Sequence, residues 1–379
     1  MRGKKVLLCS TDAELERSAS QLLERCGARV THAAHLLEGL CALEEELHSL
    51  VIVDVAHFDG ALEMLEAAQA SLPTVAMSSG DDLEVLRSLV CDAGISNVIA
   101  HPGGSRDALV ELVITADKLL RDDLFGLDKY LRGDDATFRR SRLTGARERD
   151  RELAELSDFL RSHNAPRHLI PTIVNAADEM LTNAMYNAPV HSSGQPRYAS
   201  MSRRTKIELA ASEHVQLEYG VHKGVFGISV SDNFGRLRLG HLSKSIHRCV
   251  SDDDPIEQKA GGAGLGLFLI ARTAQQFIIN VNPGQRSEAI GLWALDRKAL
   301  RTQRSHHSVH FFEQAYPLES HIARCASGTS GPRSDYDTQV STYPGAGFSS
   351  TRPSTSSHGV IRASTRRRAR VSAGHTLPR

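Results

Sequence analysis

Gly261-Gly262-Ala263-Gly264-Leu265-Gly266-Leu267 places four glycines directly before an apolar run. Glycines leave backbone N–H groups unhindered, and here those groups lead into a predicted helix N-terminus. Aligned amides and the helix dipole favour an anion at such a place. A glycine-rich hinge has the same composition, so the loop alone decides little. It gains meaning from two segments upstream, Glu179-Met180-Leu181-Thr182-Asn183-Ala184 and Ser231-Asp232-Asn233-Phe234-Gly235. No Gly-Lys-Ser/Thr follows the loop, so it is not a P-loop. It does not join a strand directly to a helix, and no ribose-binding acid stands at the dinucleotide distance.

Working outward, Ile170, Ile173, Val174, Ala177, Leu181 and Ala184 recur at helical steps and predict one long helix over Leu169–Ala188. Residues four apart share a helix face. Glu179 and Asn183 therefore point the same way, with Asn187 one turn on. The amide oxygen of Asn183 can ligate a hard Mg²⁺ without adding negative charge beside phosphates. The Glu179 carboxylate can orient or activate a nucleophile at a terminal phosphate. Asp232 ends the apolar run Val225–Val230. A strand-end carboxylate can accept from an adenine amino group, and Gly235 lets backbone approach the flat ring. Alone, Asp232-Asn233 also reads as an inter-strand turn. Further strands are expected at Lys206–Ala211, His214–His222, Ile278–Asn282 and Ala289–Leu295, with a helix at Gly266–Gln276. Helix, strands, helix, strands predicts an α+β two-layer sandwich over residues 167–316.

These three segments together resemble the ATPase fold shared by histidine kinases, anti-sigma-factor serine kinases, type II topoisomerases and heat-shock chaperones. The resemblance implies ATP and Mg²⁺ as ligands. It puts Glu179 at the general-base position and Asn183, with Asn187, at the Mg²⁺-nucleotide position. Asp232 and Gly235 fall in the adenine box, and Gly262, Gly264, Leu265 and Gly266 in the phosphate loop. Residues 236–260 would form a mobile lid, with Lys259 a phosphate contact. Two positions depart from the pattern: Tyr186 stands where histidine kinases commonly carry a basic residue, and Asn233-Phe234 replaces a glycine-containing stretch. No phosphoacceptor-histidine helix pair precedes this part. His163 lacks an acid directly after it and reads as a helix-end residue.

Residues 1–122 alternate short apolar runs with amphipathic stretches. Lys5–Cys9, Arg29–Ala33, Leu50–Asp54, Thr74–Ser79 and Val98–His101 read as strands. Glu14–Arg25, Leu36–Leu47, Ala61–Ala70, Leu83–Ala93 and Arg106–Leu120 read as helices. Five βα units predict a doubly wound five-stranded parallel sheet, whose crevice lies at the carboxyl ends of the strands. This part resembles the receiver domain of response regulators. The resemblance makes Asp54 the candidate phosphoacceptor and Ser79 the hydroxyl position. Ser10 and Thr11 occupy the usual acidic pair, followed by Asp12, and His101 occupies the usual lysine position. A phosphoaspartate needs cations around it, so the expectation is a degenerate, pseudo-receiver domain.

Residues 123–166 read as a charged linker followed by a helix over Glu148–Ser162. Leu153, Leu156 and Leu160 give that helix an apolar stripe, and residues 148–188 suit packing or homodimerisation. Residues 317–379 are rich in Ser, Thr, Gly, Pro and Arg and are expected to be a disordered basic tail. With 379 residues and 41% apolar composition the chain can build real cores. A formal net charge of zero gives no bulk drive toward nucleic acid or an anionic membrane. The six cysteines form no metal-ligand spacing. No apolar run is long enough to span a membrane. The expectation is a cytoplasmic signalling protein that binds Mg-ATP and transfers phosphate to a partner protein, or holds ATP as a non-catalytic switch or anti-sigma-type regulator.

Overall fold

The computed structural model describes residues 1–78, 83–100, 105–203, 205–250, 265–295 and 307–314. Chain contacts group Met1–Pro317 into one compact unit and Leu318–Arg379 into another. The second unit, which contains the expected tail, lies outside the described residues.

Among the described residues, the first unit is built on a continuous 11-stranded sheet. Its N-terminal part is β1 (Lys5–Cys9), β2 (Arg29–Ala33), β3 (Leu50–Asp54), β4 (Thr74–Ser78) and β5 (Asn97–Ala100). These pair in parallel in the order β2-β1-β3-β4-β5. That is the doubly wound order with a switch point between β1 and β3. β1, β3 and β4 are buried apolar runs because helices cover both faces. α1 (Ala13–Arg25) and α5 (Arg106–Arg121) pack on one face. α2 (Leu36–Glu45), α3 (Ala61–Gln69) and α4 (Leu83–Arg87) pack on the other. α4 runs on as a π-helical turn over Ser88–Asp92. Asp12 caps α1 by accepting from the Glu14 and Leu15 amides.

The remaining strands are β6 (Thr137–Leu143), β7 (Val215–His222), β8 (Val225–Asp232), β9 (Gln276–Asn282), β10 (Arg286–Ala294) and β11 (Ser308–Glu313). They continue the sheet as β5-β11-β9-β10-β8-β7-β6. β11 runs antiparallel to β5 and parallel to β9, and so welds the two parts together. α6 (Ala146–Ser162), α7 (Leu169–Thr182), α8 (Leu239–Val250) and α9 (Leu265–Thr273) cover one face. On the other face Leu124, Leu127 and Leu131 pack against Ile278, Ile290, Leu292 and Phe312.

Several local expectations change. Residues 137–143, placed by composition in a charged linker, are the edge strand β6, and its exposed arginines guard that edge. The expected strand at 206–211 is irregular; Glu208 makes only an isolated bridge to Gly145. The long helix is regular to Thr182 and then widens into a π-helical turn over Asn183–Asn187. The helix after the glycine loop ends at Thr273, and Gln276 already starts β9. Leu156 and Leu160, on the stripe of α6, are buried in this chain's own core.

The junction holds a buried polar network. Lys118 Nζ, near the end of α5, donates to Tyr130 Oη at 2.8 Å and to Asn280 Oδ1 at 2.7 Å. Asn280 Nδ2 donates to Glu288 Oε2 at 2.8 Å, and Ser229 Oγ donates to Glu288 Oε1 at 2.8 Å. Burial pushes the Lys118 ammonium well below the ordinary lysine range, against the pull of Glu288. Beside it, His310 Nε2 on β11 lies 2.7 Å from Glu111 Oε1 on α5.

Candidate functional site

The end of β8 sets the first wall. Asp232 is 6% exposed, and its Oδ1 accepts from Phe234 N at 2.8 Å. The chain then turns at Gly235, whose φ is +58°. A Cβ built there would lie 2.7 Å from Gly284 N and 2.8 Å from Gln285 N, and closer still to Asn282 O. Only glycine lets the β9–β10 hairpin sit this near. Burial raises the Asp232 carboxyl from 3.8 to about 6, opposed by the Phe234 and Gly235 amides and by Ser287. Ser287 stands opposite Asp232 in the β8–β10 register. Its buried Oγ favours the Asp232 charge without completing a hydrogen bond.

α7 and its π-helical turn make the second wall. The wider turn keeps Asn183 and Asn187 adjacent, with Asn187 Nδ2 donating to Asn183 Oδ1 at 2.8 Å. α8 makes the third. Between them lies a cavity of about 370 Å³. Asn183, Asn187 and Asp232 all line it, as do Arg236, His241 and Lys244. Asp232 is the sole carboxylate among its described lining residues, against those three basic side chains. Arg236 Nη1 is buried with no hydrogen-bond partner among the described residues. Partial desolvation of its ring, then Lys244, Arg238 and Arg236, hold His241 below the ordinary histidine range. A pocket with one acid deep inside and the Arg236 and Lys244 side chains at its side suits a ligand with a hydrogen-bond-donating head and an anionic tail.

Glu179 is not among the residues lining this cavity. Its Oε1 lies 3.1 Å from Arg203 Nη1, and its carboxylate lies against the first turn of α9. A Cβ at Gly266 would come within 2.7 Å of Glu179 Cδ, so that close approach requires the glycine. Leu265 is the first residue of α9. Lys259, Gly262 and Gly264 lie outside the described residues. Tyr186 is buried and donates to Thr205 O at 2.9 Å. His163 ends α6, its ring 4.1 Å from that of Phe159. Sequence reasoning named none of Arg203, Arg236, His241 or Lys244 individually. Arg203 and Arg236 lie on irregular segments with no periodicity to reveal them, whereas His241 and Lys244 stand three apart on α8, a helix the sequence reading did not assign.

A second cluster sits at the carboxyl ends of β1 and β3. Asp54 is 3% exposed; its Oδ2 accepts from Ser10 Oγ at 2.9 Å and lies 3.1 Å from His57 Nδ1. Thr11 Oγ1 donates to His57 O at 2.7 Å. Ligand atoms of Asp12, Asp54 and His57 lie within 4.8 Å of one another, near enough for one cation. β4 ends at Ser78; Ser79 and His101 lie outside the described residues.

No family model matches the chain, and no curated protein matches it. Solved structures do. A response regulator from Thermotoga maritima is 21% identical, covering 31% of this chain and 98% of its own, with a TM-score of 0.28. A CheY-like receiver domain from Methanospirillum hungatei JF-1 is 28% identical over 32% of this chain and 98% of its own, TM-score 0.27. The chemotaxis response regulator CheY4 of Vibrio cholerae is 18% identical over 31% and 99%, TM-score 0.28. Among the described residues no helix is long and apolar enough to cross a membrane. By its own strand order and helix placement, the N-terminal third of this chain has a receiver-like α/β fold.

Proposed function

We propose that the chain is a signalling protein that binds Mg-ATP between α7, β8 and α8 and passes the terminal phosphate to a partner protein. The receiver-like part regulates that site. One observation carries the reading: the neighbouring Asn183 and Asn187 and the sequence-distant Asp232 line one cavity together with Arg236, His241 and Lys244. Asp232 would take the adenine amino group, the basic side chains the phosphates, and the Asn183 amide oxygen the Mg²⁺. Glu179, one turn before Asn183, would orient the attacking hydroxyl.

The test is calorimetric titration of the full chain with ATP, with and without Mg²⁺, followed by transfer of labelled γ-phosphate to candidate partners. Ligand at about 100 times its dissociation constant stabilises by about 2.7 kcal/mol, so a thermal shift accompanies binding. Neither heat nor thermal shift at millimolar Mg-ATP rejects the reading. A second reading, an ATP-gated switch without phosphoryl transfer, draws on the Glu179–Arg203 pair, which occupies the candidate base. Binding without transfer or hydrolysis selects it.

A further inference from the structure

Arg203 comes from the irregular segment between the π-helical turn and β7, outside all three sequence motifs. Its guanidinium is nevertheless brought to Glu179, with Nη1 3.1 Å from Oε1. Tyr186 fixes the backbone that carries it, donating to Thr205 O at 2.9 Å and standing 3.5 Å from Arg203 O. The other side of the Glu179 carboxylate rests on Gly266 in the first turn of α9. Glu179 precedes Met180 and Asn183, both of which line the cavity. One anion, the Glu179 carboxylate, therefore lies between a guanidinium and the start of a helix, on the same helix that supplies Met180 and, through its π-helical turn, Asn183 to the cavity lined by Arg236, His241 and Lys244. Arg203 is 38% exposed and Glu179 24%, so the pair is solvent-screened and exchangeable. A guanidinium binds phosphate oxygens in the same forked geometry as a carboxylate.

We propose that Arg203 distinguishes a nucleoside triphosphate from a diphosphate at this site, leaving Glu179 for the terminal phosphate. The exchange frees the Glu179 carboxylate when a γ-phosphate is present and leaves it paired when only a diphosphate is bound. The inference rests on the nucleotide reading above and adds the residue that reads the phosphate count.

The experiment is calorimetry of the full chain with ATP and with ADP, both with Mg²⁺, for the wild type, Arg203→Gln, Arg203→Lys and Glu179→Gln. A charge-assisted hydrogen bond to one phosphate is worth about tenfold in affinity or more. Arg203→Gln is expected to weaken ATP about tenfold and leave ADP within about twofold. Arg203→Lys is expected to fall between wild type and Arg203→Gln, because a lysine keeps the charge and loses the fork. Glu179→Gln, which removes the competing carboxylate, is expected to tighten ATP while ADP stays put. Equal loss of both nucleotides in Arg203→Gln, or no loss of either, overturns the role of Arg203 while leaving the nucleotide site standing. Wild-type protein that binds neither nucleotide refutes the site itself, and the role with it.

Discussion

Asp232 offers a measurement that needs no ligand. Its carboxyl is raised from 3.8 to about 6 by burial. That difference is about two pH units, and at 1.36 kcal/mol per unit it amounts to about 3 kcal/mol. The sign follows from proton counting. Between those two values the folded chain holds a proton on Asp232 that the unfolded chain has released. Stability from this group is therefore greatest below about pH 4, falls as pH rises, and reaches its full loss of about 3 kcal/mol above about pH 6. Asp232→Asn removes the titration and keeps one oxygen to accept from Phe234 N. Urea unfolding of both proteins across pH 4 to 8 isolates the effect as a difference, in which other titrating groups cancel. The variant is expected to gain on the wild type by up to about 3 kcal/mol between the ends of that range. Parallel profiles would refute the claim that Asp232 is a desolvated carboxylate. The same carboxylate would be the acceptor for an adenine amino group, so ATP affinity is expected to fall as pH drops below about 6, and not in Asp232→Asn.

Gly235→Ala forces an alanine to φ +58° and drives its Cβ into backbone of the 282–285 turn. A loss of at least about 3 kcal/mol in urea unfolding is expected. Lys118→Met removes the buried cation of this network and leaves Glu288 with Arg286, 3.7 Å away, as its ion-pair partner among the described residues. It is expected to cost about 3 kcal/mol, and adding Glu288→Gln should restore part of it. Incubation with acetyl phosphate and Mg²⁺ is expected to leave Asp54 unlabelled by mass spectrometry, because Ser10 and Thr11 bring hydroxyls where a phosphoaspartate needs charge. Stoichiometric label that vanishes in Asp54→Ala would overturn this.

The parallel sheet was legible because β1, β3 and β4 are short apolar runs separated by helical periodicity. β6 was not, since Arg139, Arg140 and Arg142 erase the alternation that an edge strand otherwise shows. β11 follows a polar stretch and earns its place only by lying between β5 and β9, a long-range pairing no local pattern announces. The four-residue step from Asn183 to Asn187 survives the π-helical turn, but the turn itself is a packing outcome invisible in propensity. Motif spacing pointed to Asp232 and Gly235, whereas the meeting of Arg236 with His241 and Lys244 of α8 at the cavity, and of Arg203 with Glu179, is set by tertiary geometry.

The last described strand, β11, lies at the centre of the sheet. The chain therefore finishes its scaffold from the middle, after everything on both sides has been synthesised. Cutting after residue 122 would strip β5 of its antiparallel neighbour and bare a raw hydrogen-bonding rim, an invitation to aggregate. The two parts share one sheet through the β5–β11 pairing and the Lys118 cluster, so any coupling between them would have to cross a paired seam and not a flexible tether.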